Sequence, residues 1–199
     1  ITFVAGFDTP GSTITFCMYE LAQYPEIQEK VFHEIEHVLG KNENNVTYKA
    51  VNEMKYLQQV IQETLRKYPV LTLIFRQCSK EYTISGTDSL IESGTTVLIP
   101  AFEIHYDPKY FPNPQVFDPE RFNEENKIHP GTYMPFGIGP RNCPAVLYSY
   151  IVMKIFLIKI LQNFKISLSE KVNIPITFNP KKFILTPESV WFRLEKRRI

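Results

Sequence analysis

Residues 135–146 read "PFGIGPRNCPAV" and run into the apolar stretch "AVLYSYIVMKIFLIKIL". This junction constrains the fold more than any other part of the chain. Lys154 and Lys159 interrupt the apolar stretch, and it is short for a bilayer, so it reads as a helix buried in a protein core and ending near Asn163. Gly137 and Gly139 permit backbone conformations and close approaches that a Cβ would block, and Pro144 suits the first helical position. Cys143 is thereby placed at a helix N-terminus beside Arg141, where the dipole and free amides favour a thiolate. These local features leave two readings open. One is a ligand or nucleophile, the other a buried thiol packing as a small hydrophobe.

The rest of the chain supplies that core. From residue 12 to residue 23 apolar side chains fall at helical spacing, at Ile14, Cys17 or Met18, and Leu21. Pro25 starts a second helix with Glu26 and Glu29 in its early turns and the stripe Ile27, Val31, Ile35, Val38, closed by Gly40. Thr47 is a candidate N-cap, and Met54, Leu57, Ile61 and Leu65 form the stripe of one further helix that stops before Pro69. Between residues 82 and 99 the runs "EYTISG" and "TTVLIP" suggest a hairpin, and the tail "KKFILTPESVWFRLEKRR" suggests another about its Thr-Pro-Glu-Ser turn. "DPKYFPNPQVFDPERF" is too rich in proline for a regular element. The fold class expected is mainly α with small β-hairpins, over one domain of 199 residues.

With 22 basic and 21 acidic side chains the chain has no global field that points to nucleic acid or an anionic membrane. Its three cysteines, at 17, 78 and 143, form no CxxC pair, which argues against a disulfide framework and for reduced thiols on the cytosolic side. The opening "ITFVAGF" has no Met and starts inside a patterned segment, so the sequence reads as a piece of a longer chain.

Two further groups are candidates for chemistry. Glu63 and Arg66 in "ETLR" are neighbours on a helix, and periodicity puts them opposite the apolar stripe, as a solvated ion pair contributing about 0.2–0.5 kcal/mol. "HEIEHVLGKNE" fits the H-E-x-x-H zinc-peptidase pattern, with His33 and His37 as ligands, Glu34 as base and Glu43 as third ligand. Both histidines nevertheless project away from the apolar stripe, and the alternative is a pair of surface histidines.

Four segments, in order, resemble the cytochrome P450 family. "AGFDT" is similar to its oxygen-activation helix, "ETLR" to its E-x-x-R helix, "PERF" to its meander, and "FGIGPRNCPA" to its heme loop F-x-x-G-x-R-x-C-x-G/A. The resemblance runs from the first residues to the last and makes the zinc peptidase a runner-up. It implies the C-terminal, heme-ligating part of the P450 fold over 1–199, with the N-terminal part and membrane anchor outside the sequence. The activity implied is heme-thiolate monooxygenation, which inserts one oxygen atom of O2 into a lipophilic substrate.

The roles of particular residues follow from that resemblance. Cys143 is the expected axial thiolate on the iron of protoporphyrin IX, with Phe136, Gly137 and Gly139 shaping its loop. Arg141 and Arg76 pair with heme propionates. Glu63, Arg66 and Arg121 form a buried ion network, the reverse of the periodicity reading. Asp8 and Thr9 form a proton relay to dioxygen, although "DTPG" also suits a helix-capping turn. Substrate contacts fall on Phe3, Val4, Phe7, Val70, Leu71, Thr72, Leu73 and Ile74, and on a hairpin tip at Thr186 and Pro187. Electrons come from NADPH through NADPH-cytochrome P450 reductase, with cytochrome b5 as a second donor. No nucleic acid is involved. "YPEIQEKV" and "RKYPV" resemble the microsomal animal branch, above all the insect detoxification type, which implies the cytosolic face of the endoplasmic reticulum membrane. A truncated, non-catalytic remnant of such an enzyme is the alternative. Pro10, Tyr106, Pro144 and Leu147 depart from the family's usual residues, and a proline inside a helix costs about 3 kcal/mol unless the helix is distorted there.

Overall fold

The computed structural model describes the backbone of residues 2–197 and the side chains of residues 5–197. Helices dominate, joined by three two-stranded antiparallel pairs. Helix α1 (Thr2–Gln23) runs straight through Pro10, so "DTPG" forms no turn. Proline has no N-H to offer the carbonyl of Gly6 four residues earlier. Around it Thr9, Thr13 and Thr15 donate their hydroxyls back to the carbonyls of Ala5, Thr9 and Gly11 at 2.7, 3.0 and 2.9 Å. Such bonds loosen and bend a helix.

Helix α2 (Pro25–Lys41) begins with its proline and buries Val31, Ile35, Val38 and Leu39. Thr47 caps α3 (Tyr48–Glu53), its hydroxyl accepting the Ala50 N-H at 3.1 Å. The stripe that reads as one helix from Thr47 to Leu65 is two, broken at Met54, where ψ is 91° before α4 (Lys55–Lys67). Distant side chains make the break. Glu34 of α2 accepts the N-H groups of Tyr56 and Leu57 at 2.7 and 2.8 Å, satisfying the first turn of α4. Lys154 of α6 (Val146–Asn163) donates to the carbonyls of Val51 and Met54, each at 3.0 Å, and closes α3. Burial pushes the Lys154 ammonium down to about 8, against the pull of Glu34.

The strands pair differently from the sequence expectation. β1 (Ile74–Gln77) pairs with β4 (Thr96–Ile99), and β2 (Tyr82–Thr83) with β3 (Leu90–Ile91), so "EYTISG" and "TTVLIP" are not partners in a hairpin. Alternation marks a run as extended and leaves its partner open. After α5 (Ala101–His105) and an irregular stretch, α6 leads directly into β5 (Phe164–Leu168), which pairs with β6 (Phe192–Lys196). In the tail, the Asn179 N-H donates to Thr186 O and the Glu188 N-H to Thr177 O, both at 2.9 Å, with a bridge between Phe178 and Pro187. The reversal therefore falls near residues 180–183. Thr186 and Pro187 sit on its returning arm, not at its tip.

Against the expectation that this stretch is short for a bilayer, length and composition alone would let α6 cross one. Its packing makes it the core helix: Met153, Leu157, Ile158 and Leu161 are buried in the cluster that joins Cys17 and Leu21 of α1, Val31 and Ile35 of α2, and Leu57 and Ile61 of α4.

Glu63 and Arg66 are both fully buried, which overturns the solvated pair expected from periodicity. Arg66 Nε and Nη2 donate to the two carboxylate oxygens of Glu63 at 2.7 and 2.8 Å, and its remaining donors reach the carbonyls of His105 and Pro114 at 3.1 and 2.9 Å. Glu63 also accepts the Asp118 N-H at 3.0 Å and Arg121 Nε at 3.4 Å. Burial pushes its carboxyl up from the ordinary range, opposed first by Arg66, then by the Asp118 N-H and Arg121. The wet face predicted for α4 is covered by residues 105–121.

Arg66→Ala leaves Glu63 buried with half its donors gone, and chemical denaturation is expected to show a loss of about 3–5 kcal/mol. Arg66→Lys, which keeps the charge without the planar fork, recovers less than half of that. Glu34→Ala strips the first turn of α4 of its acceptor and is expected to cost about 1–2 kcal/mol in the same measurement.

Candidate functional site

The cysteine loop is built from backbone hydrogen bonds. Gly137 N-H donates to Met134 O at 3.0 Å, Asn142 N-H to Gly139 O at 3.1 Å, and Cys143 N-H to Phe136 O at 2.8 Å. Gly137 and Gly139 have φ of 74° and 85°, the left-handed region where a side chain is strained. At Gly137 a Cβ would also stand 3.4 Å from Arg76 Nη2 and 3.7 Å from Asn142 Cα. Both distances are ordinary contact, so it is the backbone conformation that demands glycine there.

The helix begins later than expected. α6 starts at Val146 with Ala145 as its cap, so Cys143 precedes the helix proper and Pro144 is not its first residue. A helix dipole acts within its first turn, so its hold on the Cys143 sulfur is weaker than the sequence suggests. Two guanidinium groups, Arg76 and Arg141, line the same cavity as this thiol.

That cavity measures about 340 Å³ and gathers residues from opposite ends of the chain. Cys143, Arg141, Phe136, Gly137, Arg76, Thr9, Val70, Leu71 and Ile74 line it, all expected from the sequence. Leu65, Met134 and Met153 line it as well, and no signal in the sequence separated them from ordinary core residues; Pro10, singled out in the sequence only as a departure from the family pattern, also lines it. Arg76 is held by β1, where Nη1 donates to Phe75 O at 2.8 Å and Nη2 approaches Arg141 O at 3.4 Å.

Other expected residues lie elsewhere. Asp8 is exposed and outside the cavity wall, one residue from Thr9, which is on it. Gly139, Phe7, Thr72, Leu73, Thr186 and Pro187 do not line the cavity. Phe7 is 70% exposed, and Thr186 and Pro187 are committed to the tail pairing described above. The side chains of Phe3 and Val4 lie outside the described residues.

The residues present fit an iron porphyrin. One thiol reaches the cavity, two guanidinium groups are available to pair with two carboxylates, and Leu65, Val70, Phe136 and Met153 give apolar surface. The zinc constellation does not assemble. His33 and His37 are exposed on α2, Glu43 is exposed beyond its end, and Glu34 is already used on the amides of α4. Among the described residues no group of His, Cys, Asp and Glu is placed to hold a metal ion.

The cytochrome P450 family model matches residues 1–193. The chain is 45% identical over 198 residues to "Probable cytochrome P450 6a13" of Drosophila melanogaster, covering 98% of this chain and 40% of that protein. It is 45% identical over 184 residues to "Cytochrome P450 6j1" of Blattella germanica, covering 92% and 36%. It is 40% identical over 200 residues to "Cytochrome P450 6B1" of Papilio polyxenes, covering 99% and 40%. The chain thus spans between 36% and 40% of the length of these relatives. On the family match and on these relatives, the chain belongs to the cytochrome P450 family.

Proposed function

We propose that the complete enzyme to which this segment belongs inserts one oxygen atom of O2 into a lipophilic organic substrate and reduces the other to water. The observation that carries this reading is the meeting of Cys143, Arg141 and Arg76 in one largely apolar cavity. When bound, the heme supplies the redox iron at which O2 is activated. Cys143 would hold that iron through its thiolate, and the left-handed backbone at Gly137 and Gly139 shapes the loop whose amides would tune the sulfur. Arg76 and Arg141 would hold its propionates.

Protons reach the cavity by way of α1. Asp8 faces solvent and collects them, while Thr9 stands on the cavity wall with its hydroxyl donating to Ala5 O at 2.7 Å. That carbonyl bond is exchangeable, so the hydroxyl can turn and pass a proton inward. Pro10 supports the turn-over, because the missing N-H leaves the helix backbone slack next to it. Val70, Leu71 and Ile74 give substrate an apolar wall.

The same reading assigns electron supply to NADPH through NADPH-cytochrome P450 reductase, with cytochrome b5 as an additional donor. It places the enzyme on the cytosolic face of the endoplasmic reticulum membrane, anchored by a segment preceding this one. The likeness to the insect proteins supports both assignments.

The ferrous carbon monoxide spectrum of the complete enzyme tests Cys143. The wild type is expected to show the red-shifted Soret band of a thiolate ligand and Cys143→Ser to lose it; a band that survives the substitution removes Cys143 from this role. The segment of 199 residues alone is expected not to retain stoichiometric heme, since its cavity opens to solvent. Equilibrium dialysis followed by absorbance measures this, and a stable complex of normal spectrum would refute it.

A further inference from the structure

We infer that His105 is a positioning residue for the cysteine loop, a neutral imidazole of fixed tautomer that clamps the start of the loop to α4. The inference rests on reading Cys143 as the thiolate ligand, and deepens it.

His105 ends α5 and is fully buried. Its Nδ1 lies 3.1 Å from Arg66 O, and its Nε2 lies 3.0 Å from the backbone nitrogen of Met134. The chemistry of the partners fixes the proton. A backbone N-H can only donate, so Nε2 carries no hydrogen and accepts from Met134. A carbonyl can only accept, so Nδ1 carries the hydrogen and donates to Arg66 O.

Two further features make this a clamp. Arg66 Nη1 donates to His105 O at 3.1 Å while the His105 ring donates to Arg66 O, so side chain and backbone of the two residues grip each other in both directions. Tyr133, next to Met134, stacks on the imidazole with ring centroids 5.6 Å apart, and its hydroxyl donates to Gln62 O of α4 at 3.1 Å. The chain entering the loop is therefore tied to α4 at two successive residues.

From Met134 the hold continues to the sulfur. Met134 O accepts the Gly137 N-H at 3.0 Å, and Phe136 O, within that turn, accepts the Cys143 N-H at 2.8 Å. A displaced Met134 moves the glycine turn, and the glycine turn carries the backbone of Cys143. An imidazolium would point a second N-H at the Met134 N-H and break the clamp. Burial, helped by the nearby Arg66 guanidinium, holds the ring's pKa down to about 4, so the acceptor persists at physiological pH.

The test uses three variants of the complete holoenzyme. His105→Gln can place an acceptor oxygen where Nε2 stood; His105→Asn is too short to reach Met134; His105→Leu offers nothing. The readout is the ratio of thiolate-ligated to thiol-ligated ferrous carbon monoxide complex. Gln is expected to stay close to wild type, while Asn and Leu fall about five- to tenfold, the scale of one orphaned buried N-H. Equal falls for Gln and Asn, or a wild-type ratio for Leu, would overturn the inference. Where the substitutions yield no holoenzyme, the nitrogen-15 shifts of His105 in the wild type decide it: the Nδ1-H tautomer supports the clamp and the Nε2-H tautomer overturns it. If Cys143→Ser keeps the red-shifted band, the thiolate reading fails, while the tautomer result still stands or falls by itself.

Discussion

A carboxylate and a guanidinium taken fully out of water govern this structure. Glu63 and Arg66 meet through two short hydrogen bonds, yet desolvating them costs several kcal/mol per ion, more than a single partner returns. Every remaining donor and lone pair needs a partner, and the partners all come from residues 105–121: His105 O, Pro114 O, the Asp118 N-H and Arg121. The proline-rich stretch, which has no regular backbone ladder of its own, is thereby folded over α4. Its irregularity is an asset here, since carbonyls not spent on a helix or sheet are free to face the arginine.

That requirement also explains which parts of the architecture were legible in the sequence. The apolar stripes of α1, α2 and α6 report local geometry, and all three helices are present, α2 within a residue of its expected bounds, while α1 starts ten residues before its stripe and α6 starts after Pro144. Glu63 and Arg66 lie on the polar face of α4, and periodicity knows only that the face is polar. A face of this kind is wet by default and buried only when another segment brings complementary groups, which is information carried by residues 105–121. The break at Met54 has the same origin, because Glu34 and Lys154 that cause it lie on other helices. The strand partners were hidden likewise: Arg76 opposes Val97, a register that no alternation pattern names.

In the site the loop was legible because glycine leaves a conformational trace. Positive φ at Gly137 and Gly139 is a demand that few other residues meet, so two glycines and three prolines around a cysteine already describe a special turn. The position of that turn relative to the helix was not legible, since Pro144 is compatible with the first helical turn and with the residues just before it. Hence the placement of the sulfur depends less on the start of a helix and more on the loop's own hydrogen bonds.

The cavity therefore depends on elements that would not hold it alone. Thr9 comes with α1, Arg76 with β1, and Cys143 with a loop that has no ladder behind it, so their convergence needs a shared frame. α4 is that frame. Its Leu65 reaches the cavity, its Arg66 gathers the irregular segment, and its Gln62 and Arg66 carbonyls receive Tyr133 and His105 just ahead of the loop. Arg76 closes the circuit from the other side, standing so near Gly137 that a methyl group there would touch it. A thiolate in the role proposed for Cys143 would have to hold its place to a fraction of an ångström, and the loop that carries it is tied down by buried charge and buried hydrogen bonds in an otherwise irregular segment.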